Sequence, residues 1–407
     1  MILLILVSAV FGLSIGLYDL LLPLFLDHMH ISYGNMGVIF SFSAILLFFS
    51  RIYAGHISDI IGRKHVFSLS ILFCSIANLF TPFSINVVPQ IILRSLRESS
   101  RVVKETTLQL LIFDKWKNKF RYIIAWMAGI DATFQGIGAI LTGFLLVRIG
   151  YKYPFILSGA AVLIVYVIFL FKFKETPVVN KDSVSEPVKK FIPNGTSSKL
   201  SDSNSFSWVS AFKHRLSYPL ILLSLSGFML GVGVSMSHSF IMPLFFYYKF
   251  SVSYVLVALI IALHRFALGL PMIMGSKVVN WNLKKTTIIF ILTQGVFIAL
   301  TAVPSSFAFA AVLWLMHDVA GASLWTPARN TLIQHYARNG SRGIDVGMVL
   351  AWQELGWVFG PLIVGVVSKY SINYPFFGSG LIVMLSIVPM FWLEYHAKEH
   401  LPVPTPT

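Results

Sequence analysis

The sequence predicts an all-α membrane protein of twelve transmembrane helices, arranged as two six-helix bundles related by a pseudo-twofold axis. Three observations predict it. The composition is too apolar for a water-soluble chain of 407 residues. Twelve stretches are long and apolar enough to cross a bilayer. The second half of the chain repeats landmarks of the first.

Apolar residues make up 56% of the chain and charged residues 12%, with mean hydropathy +0.78. A soluble domain carries roughly twice that share of charge. A lipid-facing surface needs none, because acyl chains solvate Leu, Ile and Phe directly. The single Cys74 excludes an intramolecular disulfide framework and a thiolate metal cluster. The chain opens directly into an apolar run without a basic leader, which reads as a first membrane helix and not a removable signal.

Crossing the hydrocarbon core takes about 20 predominantly apolar residues. The stretches that qualify lie near 2–26, 34–54, 66–86, 87–112, 121–147, 153–172, 217–246, 252–274, 286–304, 305–334, 344–368 and 373–394. Between the sixth and seventh, residues 173–215 turn rich in Ser, Lys, Pro and Asn, the composition of a polar linker. The expected domains are therefore an N-terminal bundle (1–172), a cytoplasmic linker (173–215) and a C-terminal bundle (216–407).

The net charge of +15 would suggest nucleic acid in a soluble protein. Its placement gives another explanation. The even-numbered loops and the C-terminal tail hold 20 basic residues, among them Arg63, Lys64, Lys115, Arg121, Lys284 and Arg338, and the odd-numbered loops hold four, Arg148, Lys152, Lys249 and Lys369. Basic loops stay in the cytoplasm, so both termini are expected inside a plasma membrane and no nucleic-acid partner is called for.

A shift of about 220 residues aligns the halves. Pro23-Leu24-Phe25 falls on Pro243-Leu244-Phe245, Gly55 on Gly275, Lys64 on Lys284, and Tyr153-Pro154-Phe155 on Tyr374-Pro375-Phe376. Gly138 and Gly143 fall on Gly360 and Gly365. Two similar halves with termini on one side imply an axis along the membrane normal and a solute path between them.

The second cytoplasmic loop reads Gly55-His-Ile-Ser-Asp59-Ile-Ile-Gly62-Arg63-Lys64. It resembles the signature loop of the major facilitator superfamily, G-x-L-x-D-R-x-G-R-K. The resemblance carries over to Gly55, Asp59, Gly62, Arg63 and Lys64, and departs at Ile60, where the family has Arg. The second copy, from Gly275 to Lys285, is degenerate and lacks the Asp. The resemblance implies a gate: Asp59 would accept hydrogen bonds at the N-terminus of the eleventh helix, near Gly343, where the helix dipole favours an anion. Glycines at 129, 136, 138 and 143 loosely resemble the fifth-helix motif of drug/proton antiporters; close helix packing explains them equally well.

Ionisable groups at membrane depth are costly and usually face a cavity or a partner. The fourth span carries Arg94, Arg97, Glu98, Arg101, Lys104 and Glu105 on one face, opposite Ile91, Ile92, Val102, Val103 and Leu110. Asp131, Arg101 and Arg265 fall at matching depth, so Asp131 is expected to pair with Arg101 in its own half or with Arg265 across the halves. A carboxyl at membrane depth can carry a proton between the two faces. Asp19 and Glu354 are the leading coupling candidates, then Asp131 and Glu98. Arg94, Arg97, Arg101, His238, Arg265 and Trp325 are candidates for the solute cavity; Trp126, Trp352 and Trp357 could add stacking surface. The histidines are scattered over several helices without ligand spacing, and neither a metal site nor a cofactor is read from them.

No G-x-S-x-G, H-E-x-x-H or phosphate-cradling G-x-x-x-x-G-K-[ST] occurs, which argues against an enzyme and against an ATP-driven pump. The expected protein is a monomeric secondary transporter of a small organic solute, coupled to protons or another ion. By overall resemblance it is most similar to prokaryotic drug/metabolite efflux members. Proton-coupled uptake of an organic anion or sugar, with the fourth-helix arginines as anion clamps, is the alternative.

Overall fold

The computed structural model describes residues 1–116, 120–173, 215–272, 282–338 and 342–394. Ten helices among these are long and apolar enough to cross a membrane. Two further paths complete twelve spans: the shorter apolar helix Tyr254–Leu268, and Val87–Lys115, which is long enough but strongly charged. The spans are Ile2–His28, Tyr33–Ile61, Arg63–Phe80, Val87–Lys115, Phe120–Ile149 and Lys152–Lys172 in the first half. In the second half the seventh is Tyr218–His238 continued by Ile241–Phe250, and the eighth is Tyr254–Met272. The ninth is Leu283–Thr301, and the tenth is Phe307–His317 joined through a π-turn, Asp318–Ala322, to Ser323–Tyr336. The eleventh is Arg342–Val367, and the twelfth is Tyr374–Leu385 with Val388–Phe391. Of the expected linker, residues 174–214 lie outside the described residues, as do 273–281 of the degenerate second loop.

Packing obeys the repeat. The first span packs on the fifth and sixth, the second on the fourth, and the third on the sixth; correspondingly the seventh packs on the eleventh and twelfth, and the ninth on the twelfth. The halves meet through the second span against the eleventh and the fifth against the eighth. Small residues make these approaches possible, because lipid offers no hydrophobic drive for helices to associate and contact must come from close fit. A methyl group on Gly138 would lie 2.1 Å from the Leu13 carbonyl oxygen, and one on Gly356 would lie 2.3 Å from that of Phe228. The tight-packing reading of the fifth-span glycines therefore accounts for Gly138, whereas Gly129 meets nothing within 4 Å.

The outward surface suits acyl chains: Ile92, Val147, Phe171 and Phe391 are all exposed. Val102, expected on that face of the fourth span, is buried instead. An apolar core continuous across both halves, including Phe25, Met36, Phe240, Phe245 and Phe376, closes the end that bears the odd-numbered loops. There Tyr151 and Tyr254 hydroxyls hydrogen-bond at 2.8 Å and Tyr248 donates to Asp27 across the halves.

Candidate functional site

Below that seal a cavity of about 420 Å³ lies between the halves. Asp19, Glu98, Glu354, Arg51, Arg94, Arg101 and Arg265 supply its charges; Phe40, Met242, Trp357 and Pro361 supply its apolar wall. Of the expected cavity residues, Arg94, Arg101, His238 and Arg265 do line it. Arg97 stands behind Asp19, fully buried. Trp325 turns away: it is buried and donates from Nε1 to Gln294 of the ninth span at 2.6 Å. Trp126 and Trp352 are exposed, Trp352 against the edge of Phe228, and only Trp357 of the four tryptophans forms wall.

The charges are organised around Asp19, on the first span. Its Oδ1 receives Arg97 Nη1 of the fourth span at 3.0 Å, and its Oδ2 receives Arg265 Nη2 of the eighth span at 3.1 Å. One carboxylate thus ties its own half to the opposite one. Arg97 also pairs with Glu98 and lies with its guanidinium carbon 4.2 Å from the centre of the Tyr18 ring. Glu98 is shared with Arg101 at 3.0 Å. A second link across the halves joins Arg51 to Glu354 at 3.4 Å. Arg94 donates to Ser43 Oγ at 2.9 Å and lies over the Phe40 ring, and among the described residues it has no carboxylate within ion-pair distance.

The expected partnership of Asp131 is corrected. Neither Arg101 nor Arg265 reaches it; Asp131 pairs with Lys104 at 3.3 Å and accepts from Gln135 at 2.7 Å, outside the cavity wall. Matching depth was insufficient, because helix rotation decides which face a side chain shares. Gly12 and Gly16 let the first span lie directly on the backbone of Asp131 and Gln135, which aims Asp131 into its own half. The repeat holds a counterpart. At the offset of about 220, Gln353 stands for Asp131 and Arg329 for Lys104, and Arg329 donates to Gln353 at 2.8 Å. An ion pair in one half is a neutral-acceptor contact in the other.

Of the expected gate, Gly62 ends the second helix at φ +99°, a left-handed region that a Cβ disfavours, so the third helix starts one residue later. Arg63 donates to the Leu110 carbonyl of the fourth span at 3.1 Å, and the Lys64 carbonyl accepts from Ser68. The side-chain surroundings of Gly55 and Asp59, and the Gly343 end of the eleventh helix, lie outside the described residues.

Sequence spacing gave no sign of one further grouping. His238, His264, His317 and Asp318, from the seventh, eighth and tenth spans, converge beside the cavity with their ligand atoms all within 4.8 Å of one another. Two of them, His238 and His264, line the cavity itself.

Two bundles of six helices around a central polar cavity define a membrane transport protein working between two faces. The sequence matches the Major Facilitator Superfamily over residues 4–361 and 266–406, so the chain belongs to that family of secondary transporters and is not an enzyme. It is 25% identical over 389 residues to multidrug resistance protein 2 of Bacillus subtilis (strain 168), covering 94% of this chain and 92% of that protein. Multidrug resistance protein 1 of the same organism is 23% identical, at 97% and 95% coverage. In fold it is similar to the nucleoside transporter NupG, with TM-score 0.74, 13% identity and coverage of 97% and 99%. It is similar too to the xylose transporter XylE from E. coli in an inward-open conformation, with TM-score 0.70, 14% identity and coverage of 96% and 95%.

Proposed function

We propose that this transporter is a proton-coupled exporter of small, partly apolar organic solutes, in which Asp19 carries the coupling proton. The observation that carries the reading is the double engagement of Asp19 by Arg97 and Arg265 across the halves. As an anion it holds the eighth span to the first; protonated, it loses both charge-assisted contacts and releases Arg265, so the halves can rock about the bilayer midplane. Glu354 with Arg51 makes a second, weaker link of the same kind. The likeness in sequence to two multidrug resistance proteins supports export. Residues 1–172 and 216–407 are the proposed rocking units; the basic loops support a cytoplasmic position for both termini, and in that orientation the cavity faces inward, beneath the seal made by Tyr151 and Tyr254.

A second reading rests on Arg94. A cation at the cavity wall with a hydroxyl and an aromatic ring as neighbours, and no carboxylate within ion-pair distance among the described residues, is available to an anionic solute. Uptake of an organic anion or sugar would use it.

Proteoliposomes containing the full chain distinguish the two. Lipophilic cations, organic anions and sugars are each tested for solute-driven proton movement and for counterflow at zero gradient. Export coupling is expected to give alkalinisation of the side that receives the solute, lost in Asp19→Asn while counterflow persists. Solute flux with no proton movement in wild type would overturn the coupled reading, and accumulation of an anion, abolished by Arg94→Gln, would select uptake.

A further inference from the structure

The converging side chains of the second half do not serve the Asp19 relay, and their geometry demands an account. His238 ends the first segment of the seventh span, which breaks at Ser239. His264 lies inside the eighth. His317 and Asp318 stand where the tenth span changes from α-helix to a five-residue π-turn, an insertion that recurs at functional sites because it re-aims the side chains beside it.

Hydrogen bonding limits where the ring protons go. Nδ1 of His317 contacts the Trp314 carbonyl, and Nδ1 of His238 lies 3.0 Å from the Val234 carbonyl. A carbonyl only accepts, so His317 donates from Nδ1 and keeps a lone pair on Nε2; at His238 the Ser237 hydroxyl also lies 2.9 Å from Nδ1, so that ring can carry its proton on either nitrogen. Those two Nε2 atoms face each other at 3.0 Å. At that distance the two atoms share either a ring proton or a cation bound to both. Asp318 Oδ1 lies 3.3 Å from His317 Nε2, and its Oδ2 contacts His264 Nδ1 at an angle that makes no hydrogen bond, leaving both of those buried atoms without a hydrogen-bond partner. A buried polar atom without a hydrogen bond costs free energy, and an occupant bound to both atoms would supply the missing partner.

We propose that His238, His264, His317 and Asp318 bind one divalent transition-metal ion of the zinc type. Three imidazoles and one carboxylate are the ligand classes such ions take, and Mg²⁺ or Ca²⁺ would require an oxygen-rich shell. Around a tetrahedral ion bonded at about 2.0–2.2 Å, ligand atoms stand roughly 3.4 Å apart, close to two of the spacings found here, 3.0 and 3.3 Å; His264 and Asp318 lie closer and would part to admit the ion. The Trp314 and Val234 carbonyls hold the rings of His317 and His238 from behind, the outer-shell arrangement of metal-bound histidines. The ion enters from the cavity, where His238 and His264 are wall. All four ligands belong to one half, and His317 and Asp318 are buried, so the ion stays with that half as it moves: it braces three spans and is not cargo. His264 adjoins Arg265, so the brace also fixes the position from which Arg265 reaches Asp19.

The test uses the full chain in nanodiscs, stripped with a chelator and reloaded with Zn²⁺ or Co²⁺ alone. One equivalent of Zn²⁺ by elemental analysis is expected, with an intense visible Co²⁺ band marking tetrahedral nitrogen/oxygen coordination and a melting temperature several degrees above that of the stripped protein. His238→Gln and Asp318→Asn are each expected to weaken binding by about 10–100-fold or more, and His335→Gln, outside the group, to leave it unchanged. If His238→Gln fails to fold, the wild-type stoichiometry and Co²⁺ spectrum decide alone. Folded wild-type protein that takes up no Zn²⁺ and gives no Co²⁺ band would overturn the proposal, and a proton shared between His238 and His317 would then account for the spacing. Appearance of Zn²⁺ inside liposomes during transport would overturn the assignment as a fixed brace.

Discussion

Asp19 and Arg265 face each other at 3.1 Å from the first and eighth spans, one on each side of the interface that has to open and close. Because Asp19 also holds the buried Arg97, its charge is read by both halves at once. Asp19→Asn is therefore expected to abolish proton-driven flux by about 100-fold or more while leaving counterflow measurable. Arg265→Gln should loosen coupling and leave the N-terminal half intact by thermal melting. Equal loss of flux and of counterflow in Asp19→Asn would assign this residue to solute binding instead.

The Arg51–Glu354 link differs in setting. Its arginine is about half exposed, so the pair contributes at most about 1 kcal/mol after solvent screening. Glu354→Gln should leave the melting temperature within about a degree or two of wild type and change the transport rate. A pH-jump assay on the purified variant reads both effects, and a large loss of stability would contradict the exposure.

Buried pairs behave otherwise. Removing Asp131 strands the enclosed Lys104, a loss of about 3–5 kcal/mol, because a buried charge is costly once its counter-charge is removed. Asp131→Gln combined with Lys104→Arg copies the Gln353–Arg329 contact of the other half. Denaturation in detergent is expected to show the double variant more stable than Asp131→Gln alone.

Glycine positions give an internal contrast. Gly138→Ala drives a methyl group into the Leu13 carbonyl and is expected to cost about 1–3 kcal/mol and lower the folded yield. Gly129→Ala meets open space inside a helix and should be neutral or slightly stabilising. Size-exclusion profiles of the two variants, side by side, provide the check.

Closure at the odd-loop end can be read by crosslinking. The Tyr151 and Tyr254 hydroxyls are 2.8 Å apart, so Tyr151→Cys with Tyr254→Cys is expected to bridge through a short bifunctional thiol reagent. The bridged protein should lose transport and keep the cavity reactive from one face only.

The helical paths, the repeat and the basic-loop asymmetry were legible in the sequence because a bilayer imposes length and polarity on each span separately. Arg94, Arg101, His238 and Arg265 were legible as cavity candidates, and Asp19, Glu98 and Glu354 as acids at membrane depth, for the same reason: charge there has few places to go. Pairings were not. The partners of Asp131 and Arg265 depend on rotations set by Gly12 and Gly16 against the fifth span. The convergence of His238, His264 and His317 depends on a break at Ser239 and an extra residue per turn after His317, and neither leaves a spacing that can be counted.

The substitution of Gln353 for the acid of the repeat has an electrical consequence. In the first half, Lys104 is balanced by Asp131; in the second, Arg329 is buried against a neutral amide and the Leu223 carbonyl. Among the described residues its positive charge has no carboxylate within ion-pair distance. A charge carried through the full membrane field is worth about 2.3 kcal/mol per 100 mV, and any fraction of that path traversed by Arg329 as the halves rock is biased by voltage in proportion. The two halves of the duplication thus differ in what they bury at this position: a balanced ion pair in the first, and in the second a cation on which the membrane potential can act.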